Sequence, residues 1–392
     1  MRRLASLVKP NHRPNDTKEA LFATPAAAPV AVPAQNGPAS AGTSAIAAVL
    51  ARRARTARSA RTLAGFSALA YLGVLAAAVV LFRFVGEAWW LTTAGLYVPR
   101  VIFLVPLPLV AIAVAAFGPR RWLRLAPLPL LLLLFPLFGF TVGHPRLFHV
   151  ARAGAADLRV LSYNVAASDH VAASVAVVRA ADPDVVVLQE WDPRCLAPFV
   201  AAFPDFHRDI SGQFAIFSRY PIKDVHIPPP FEVWDGPDHG AHFVRYLVAA
   251  PTGDITFINV HPVSPRVAIE GLNPLAKQRG GVRAALERNA NVRWRQATAI
   301  AAAARAIEGR PVLVLGDTNL PGLSRILAST MDGFRDGFEE AGAGFGYTFP
   351  ATTPWLRIDR MLARGPVAFT KFGVAPAGGS DHRAIVADLA LH

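Results

Sequence analysis

Six places in the C-terminal part of the chain set a metal-binding or proton-handling side chain at or beside the end of an apolar run. Asn164 closes Leu161-Ser162-Tyr163-Asn164, and Glu190 follows Val185-Val186-Val187-Leu188-Gln189. His261 follows Thr256-Phe257-Ile258-Asn259-Val260, and Gly316-Asp317-Thr318-Asn319 follows Val312–Leu315. Asp359 sits in Leu356-Arg357-Ile358-Asp359-Arg360, while Ser380-Asp381-His382 precedes a last apolar run. The oxygen donors Asn164, Glu190 and Asp381 suit a hard cation such as Mg²⁺ or Mn²⁺. His261 and His382 titrate near neutrality, as general acid–base or phosphate-contacting groups must. A metal with histidines and amides polarises a phosphoryl oxygen, orients water and stabilises developing charge. Tetrahedral zinc fits less well, since the chain has neither a cysteine set nor a short His-x-x-x-His pair. His239 and His242, beside a Gly/Pro-rich stretch, read as loop residues.

Taken singly, each position has a plainer explanation. A strand-end Asn or Asp caps a turn more often than it catalyses, and a Glu after an apolar run usually faces solvent. The common placement at strand ends is what points to one cleft. The supporting elements read as α/β: strands at Leu158–Val165, Val185–Gln189, Phe214–Ser218, Phe243–Ala249, Ile255–Val260, Val312–Leu315, Ile358–Leu362 and Ala384–Leu389, with helices at Val171–Ala181 and Trp294–Ile307. Gly/Pro-rich loops are expected at Pro228–Gly240 and Pro262–Gly281. Residues 151–392 form one domain without internal repeats.

The ordered set Asn164, Gln189-Glu190, Gly212 with Ala215–Arg219, Asn259-Val260-His261, Gly316–Asn319, Ile358-Asp359 and Ser380-Asp381-His382 resembles the endonuclease/exonuclease/phosphatase superfamily. The resemblance covers about 157–392, and its specificity lies in the order of the motifs. It implies a DNase-like fold, a four-layer α/β sandwich of two packed mixed sheets flanked by helices. It implies Glu190 as principal metal ligand, assisted by Asn164 and Asp381. Asp317 and Asn319 would orient the attacking water or contact the phosphate, Asp359 would hold the tautomer of His382, and His261 would bind the phosphate or protonate the leaving oxygen. Arg219 would be structural. Ala166 stands where some members carry a further acidic ligand, and Thr318 replaces a frequent aromatic; neither removes chemistry common to the family.

The formal charge of +13 does not belong to this domain. Residues 1–62 carry +8, residues 63–150 carry +5, and residues 151–392 are neutral. A globally basic nucleic-acid-binding domain is therefore unsupported. The single cysteine, Cys195, excludes an intramolecular disulfide framework and a thiolate cluster. At 53% hydrophobic residues the composition calls for membrane segments. Three apolar runs, about 63–82, 101–117 and 125–142, are expected to span a bilayer, and 1–62 reads as a disordered basic region. Arg52–Arg61 and Arg120-Arg121 belong in the cytoplasm by the positive-inside rule, which puts 151–392 outside. This arrangement resembles a bacterial membrane-bound branch of the same superfamily, in the inner membrane.

The expected activity is a membrane-anchored, Mg²⁺- or Mn²⁺-dependent phosphodiesterase of nuclease type, with a phospholipid phosphodiesterase as the alternative and a silent, membrane-tethered binding module as the third reading. Partners would be a phosphoester substrate, nucleic acid or a phospholipid head group, and membrane lipid. Lys277, Arg279, Arg283, Arg288, Arg293 and Arg295 read equally as a groove edge for a polyanion and as a solvated loop and helix start. Trp191, Trp234 and Trp355 could stack on bases or dip into lipid, though such residues more often pack.

Overall fold

Parallel strand pairs need a crossover, and the chain makes two of them. In the computed structural model, which describes residues 39–118, 122, 124, 125, 127–143, 157–166, 170–230, 241–270 and 281–392, a short strand β1 (Thr141–Val142) leads into β2 (Leu158–Asn164), the helix Val171–Ala181 and β3 (Val185–Gln189), which lies parallel to β2. A hairpin of β4 (His207–Ser211) and β5 (Phe214–Ser218) follows, then β6 (Ile222–His226), β7 (Phe243–Ala250) and β8 (Gly253–Val260). The helix Gly281–Arg305 then carries the chain to β9 (Val312–Asp317), parallel to β8. Strands β10 (Arg335–Asp336), β11 (Ala343–Gly344), β12 (Asp359–Arg364), β13 (Val367–Val374) and β14 (Ile385–Leu391) complete the domain. They make two six-stranded mixed sheets, ordered β10-β12-β9-β8-β7-β6 and β13-β14-β2-β3-β5-β4, while β1 pairs only with β11.

The β-branched runs of β2, β3, β8 and β9 are buried on both faces, as interior parallel strands require. Val160, Val187 and Ile216 of one sheet meet Tyr246, Phe257, Leu315 and Met361 of the other in the central layer. The outer faces are covered by Val178 and Phe199 on one side and by Ile300, Ala301 and Ala304 on the other. Each such side chain contributes about 1.5–3 kcal/mol through removal from water. The order of layers is helix, sheet, sheet, helix, as expected.

The N-terminal segment differs from expectation. Residues 39–62 are helical, part of Ala39–Val80, because Ala and Arg are strong helix formers; the remainder of the expected disordered region, 1–38, lies outside the described residues. Two helices are long and apolar enough to cross a membrane, Gly42–Ala88 and Arg100–Phe117. The third expected span forms a helical stretch only over Pro127–Leu137, about 16 Å at 1.5 Å per residue, roughly half a hydrocarbon core. Arg100 Nη1 donates to the carbonyl of Leu137, so residues 100 and 137 meet. Leu75, Leu96, Leu133 and Leu137 pack within this segment, yet Leu109 and Ile112 are 72% and 65% exposed. The Arg120-Arg121 loop, His239, Trp234, Lys277 and Arg279 lie outside the described residues.

Within the domain, the helix expected at Trp294–Ile307 begins at Gly281. Much of the basic stretch is therefore helix surface, with Arg283 paired to Glu287, and Arg293 is buried.

Candidate active site

Both parallel pairs deliver their C-terminal ends to one place, the position at which α/β sheets collect ligands. Asn164 ends β2, Glu190 follows β3, His261 follows β8 and Asp317 ends β9. Glu190 adopts a left-handed φ of +51°, which turns the chain sharply out of β3. Gly316 has φ +139°, and a Cβ there would lie 2.2 Å from the carbonyl oxygen of Val260; only glycine lets β9 approach β8 one residue before Asp317.

Asp317 is the hub. Its Oδ2 accepts from Asn164 Nδ2 at 3.2 Å and lies 3.7 Å from His261 Nε2 and 3.6 Å from His382 Nε2. Asn164 Nδ2 also donates to Glu190 Oε1 at 2.9 Å, and His261 Nε2 is 3.4 Å from the same oxygen. Each imidazole is fixed from behind at Nδ1: His261 by Gln213 Oε1 at 2.6 Å, His382 by Asp359 Oδ2 at 2.9 Å. A buried amide pair supports both sheets beneath, with Gln189 Nε2 donating to Asn259 Oδ1 at 2.7 Å and Asn259 Nδ2 to the Leu188 carbonyl at 2.9 Å. The amide of Asn319 donates to Asp317 Oδ1 at 2.9 Å, and its Nδ2 to the Pro262 carbonyl at 3.0 Å.

Burial raises the pKa of the Asp317 carboxyl, and nearby Asp359 adds to this, against the pull of both histidines. Burial disfavours the His382 imidazolium, but Asp359 and Asp317 outweigh it and lift the group to about 10. Both shifts are upward, so Asp317 and His382 each bind a proton more firmly than the free side chains do.

The donors form two overlapping groups with atoms within 4.8 Å of one another, Glu190–His261–Asp317 and Asp317–Asp359–His382. Two carboxylates this close favour a cation between them, and Asp359 Oδ1 is buried without a hydrogen-bond partner. The oxygen-rich, thiolate-free set fits a hard divalent ion.

A sequence profile of the Endonuclease/Exonuclease/phosphatase family matches residues 161–382, more than half of the chain. The chain belongs to this family. A comparison with curated protein sequences finds no match. Among solved structures, truncated Caenorhabditis elegans TDP2 is 18% identical, with TM-score 0.46 over 60% of this chain and 98% of that one. The endonuclease/exonuclease/phosphatase from Bacteroides vulgatus is 16% identical, with TM-score 0.45 over 60% and 99%. Staphylococcus aureus beta toxin is 15% identical, with TM-score 0.44 over 59% and 99%. The sequence match, not these likenesses, makes the assignment.

The structure thus brings together Asn164, Glu190, His261, Asp317, Asn319, Asp359 and His382. Asp381 is in neither donor group: its carboxylate accepts from Arg266 Nη2 at 3.0 Å at the rim. Asn164 meets the carboxylates through Nδ2, since its Oδ1 accepts the amide of Ala166 at 2.9 Å. Arg219 pairs with Asp182 and Asp184. Trp191 packs on Phe199 and Phe217, and Trp355 donates to the Tyr97 carbonyl at 3.3 Å. His242 is buried beside β7 rather than in an open loop. Sequence reasoning missed Gln213, whose only local signal is the two-residue Gly212-Gln213 turn of the β4–β5 hairpin.

Proposed function

We propose that this family member is a membrane-anchored, divalent-metal-dependent phosphodiesterase. The observation that carries the reading is the convergence on Asp317 of two carboxylates, two imidazoles and an amide from both sheets. Glu190 and Asp317 would hold Mg²⁺ or Mn²⁺, with Asn164 fixing both carboxylates; Asp381, whose Oδ2 pairs with Arg266, would be a further ligand from the rim. The bound ion would polarise a phosphoryl oxygen and lower the charge opposing attack. Asp317 and Asn319 orient the attacking water. His261, locked by Gln213, presents Nε2 to the phosphate or to the leaving oxygen as the proton donor. Asp359 holds His382 with Nε2 directed at Asp317, ready to contact the phosphate charge.

The apolar residues turned outward between Leu63 and Phe135 support the anchor. Residues 86–97, from the end of the first long apolar helix to just before the second, bond the domain through Glu87 and Tyr97, which supports both lying on one side of a bilayer. The contact of Arg100 with Leu137 supports both residues lying on that same side. With Arg52–Arg61 cytoplasmic, this supports a domain outside the cytoplasm, in a bacterial inner membrane.

Nuclease-type hydrolysis is the first substrate reading. Hydrolysis of a phospholipid head group is the second, favoured by Tyr97, which touches Asn319 only three residues before the second apolar helix. Full-length protein in detergent, with Mg²⁺, Mn²⁺ or EDTA, would be offered plasmid DNA, RNA, sphingomyelin vesicles and bis-p-nitrophenyl phosphate. Turnover lost with EDTA and reduced about 10³-fold in Glu190→Gln is the expected result. Hydrolysis that continues undiminished in EDTA overturns the metal-dependent reading, and cleavage of the vesicles alone selects the lipid substrate.

A further inference from the structure

Asn319 is held in an unusual backbone conformation for a residue with a side chain, φ +52°. Its amide and side chain are secured within the domain, by Asp317 and Pro262. Its carbonyl is secured from outside: Tyr97, 222 residues earlier, donates its hydroxyl to it at 2.8 Å. The Tyr97 oxygen in turn accepts from Arg293 Nη1, and the same nitrogen lies 3.4 Å from the Asn319 carbonyl. Arg293 is buried, braced through Nε on Asn289 Oδ1 at 2.8 Å, with its guanidinium 5.5 Å from the Tyr97 ring centre. Burial pushes the Tyr97 hydroxyl pKa up, so it remains a donor.

Tyr97 is itself fixed. Trp355 donates to its carbonyl, and the other end of the same stretch, Glu87, accepts the amides of Arg325 at 2.9 Å and Ile326 at 3.3 Å and bonds the Ser324 hydroxyl. Residues 86–97 therefore grip the strip 319–326 at both ends, and Leu323 packs among the apolar-segment residues between the two grips.

We infer that residues 86–97, from the end of the first apolar helix to just before the second, are a wall of the active site, in which Tyr97 acts as a positioning residue that holds Asn319 through its carbonyl oxygen. The inference rests on the phosphodiesterase reading for its kinetic consequence but not for its structural one. Tyr97 touches no reacting atom. Its hydroxyl and Arg293 fix the backbone from which the Asn319 amide reaches Asp317.

The test uses the full chain in detergent. Tyr97→Phe keeps the ring and its packing and is expected to lower kcat about tenfold, within the range for residues that orient catalytic groups, with KM within about twofold. Tyr71→Phe, whose hydroxyl bonds the Phe103 carbonyl within the apolar segment, should leave activity unchanged. Hydrogen exchange over 317–323 should quicken in Tyr97→Phe and not in Tyr71→Phe, a readout that stands even if the substrate reading fails. Kinetics of Tyr97→Phe within about twofold of the unaltered protein, or unchanged exchange over 317–323, would overturn the inference.

Discussion

The apolar segment and the catalytic domain use the same residues in opposite ways. Between Leu63 and Phe135, side chains such as Phe84, Leu109 and Ile112 point outward, while from residue 158 onward the valines, leucines and phenylalanines of β2, β3, β5, β8 and β9 are turned inward. What separates the two is the direction in which the apolar side chains point, outward in the segment and inward in the domain. The segment and domain are nevertheless joined by directed polar contacts, Glu87 to Arg325, Tyr97 to Asn319, Tyr347 to the Phe138 carbonyl, and the β1–β11 pairing.

The sharpest way to probe this contrast is a cavity in each region. Phe257→Ala, between the sheets, is expected to cost about 3–5 kcal/mol in a denaturation experiment. Ile112→Ala, outward in the segment, should leave the domain's unfolding midpoint unmoved; an equal cost at both sites would break the comparison. Next in size is a charge on the outward face. Leu109→Arg should carry an insertion penalty of about 2.5–3.5 kcal/mol, seen as a lower fraction of chain resisting alkaline extraction from membranes.

A third probe titrates the domain interior. Burial depresses His242 to about 4, whereas an unfolded histidine protonates near 6.5. Its neutral form therefore favours folding above pH ~6.5, and this contribution, up to about 3 kcal/mol, is lost as the pH falls towards 4. Thermal midpoints of His242→Phe should fall less over that range than those of the unaltered protein; parallel curves would refute the assignment. The smallest effect is expected at the seam. Glu87→Gln weakens the cap on the helix Arg325–Thr330 and should cost about 0.5–2 kcal/mol of domain stability, with Ser324 keeping its own bond to the Leu327 amide.

How far all this could be read from residue order depended on whether neighbours in sequence were neighbours in space. Strands buried on both faces announce themselves as unbroken apolar runs, so β3, β5, β8 and β9 and the polar residues at their ends were legible. The edge strands β4 and β6 were not, because His207–Ser211 and Ile222–His226 alternate with charged residues that face solvent. The same holds for β13, interrupted by Thr370 and Lys371. Arg293 looked like a member of a basic surface stretch, and nothing nearby in the chain shows that it is buried against Tyr97. Asp381 sits beside His382 in the motif, yet its side chain turns to Arg266. The third apolar run was long enough on paper, but Pro136 lies inside a π-helical turn and the helical stretch ends at Leu137.

The reliance of the site on distant partners has a consequence for time. Asn164 and Asp317 are 153 positions apart, and Tyr97 and Asn319 are 222. No fragment that has formed only one βαβ unit possesses even half of a working cluster, and contacts of such long sequence separation are made slowly and late. The cluster is therefore complete only after both sheets have met and the seam has closed.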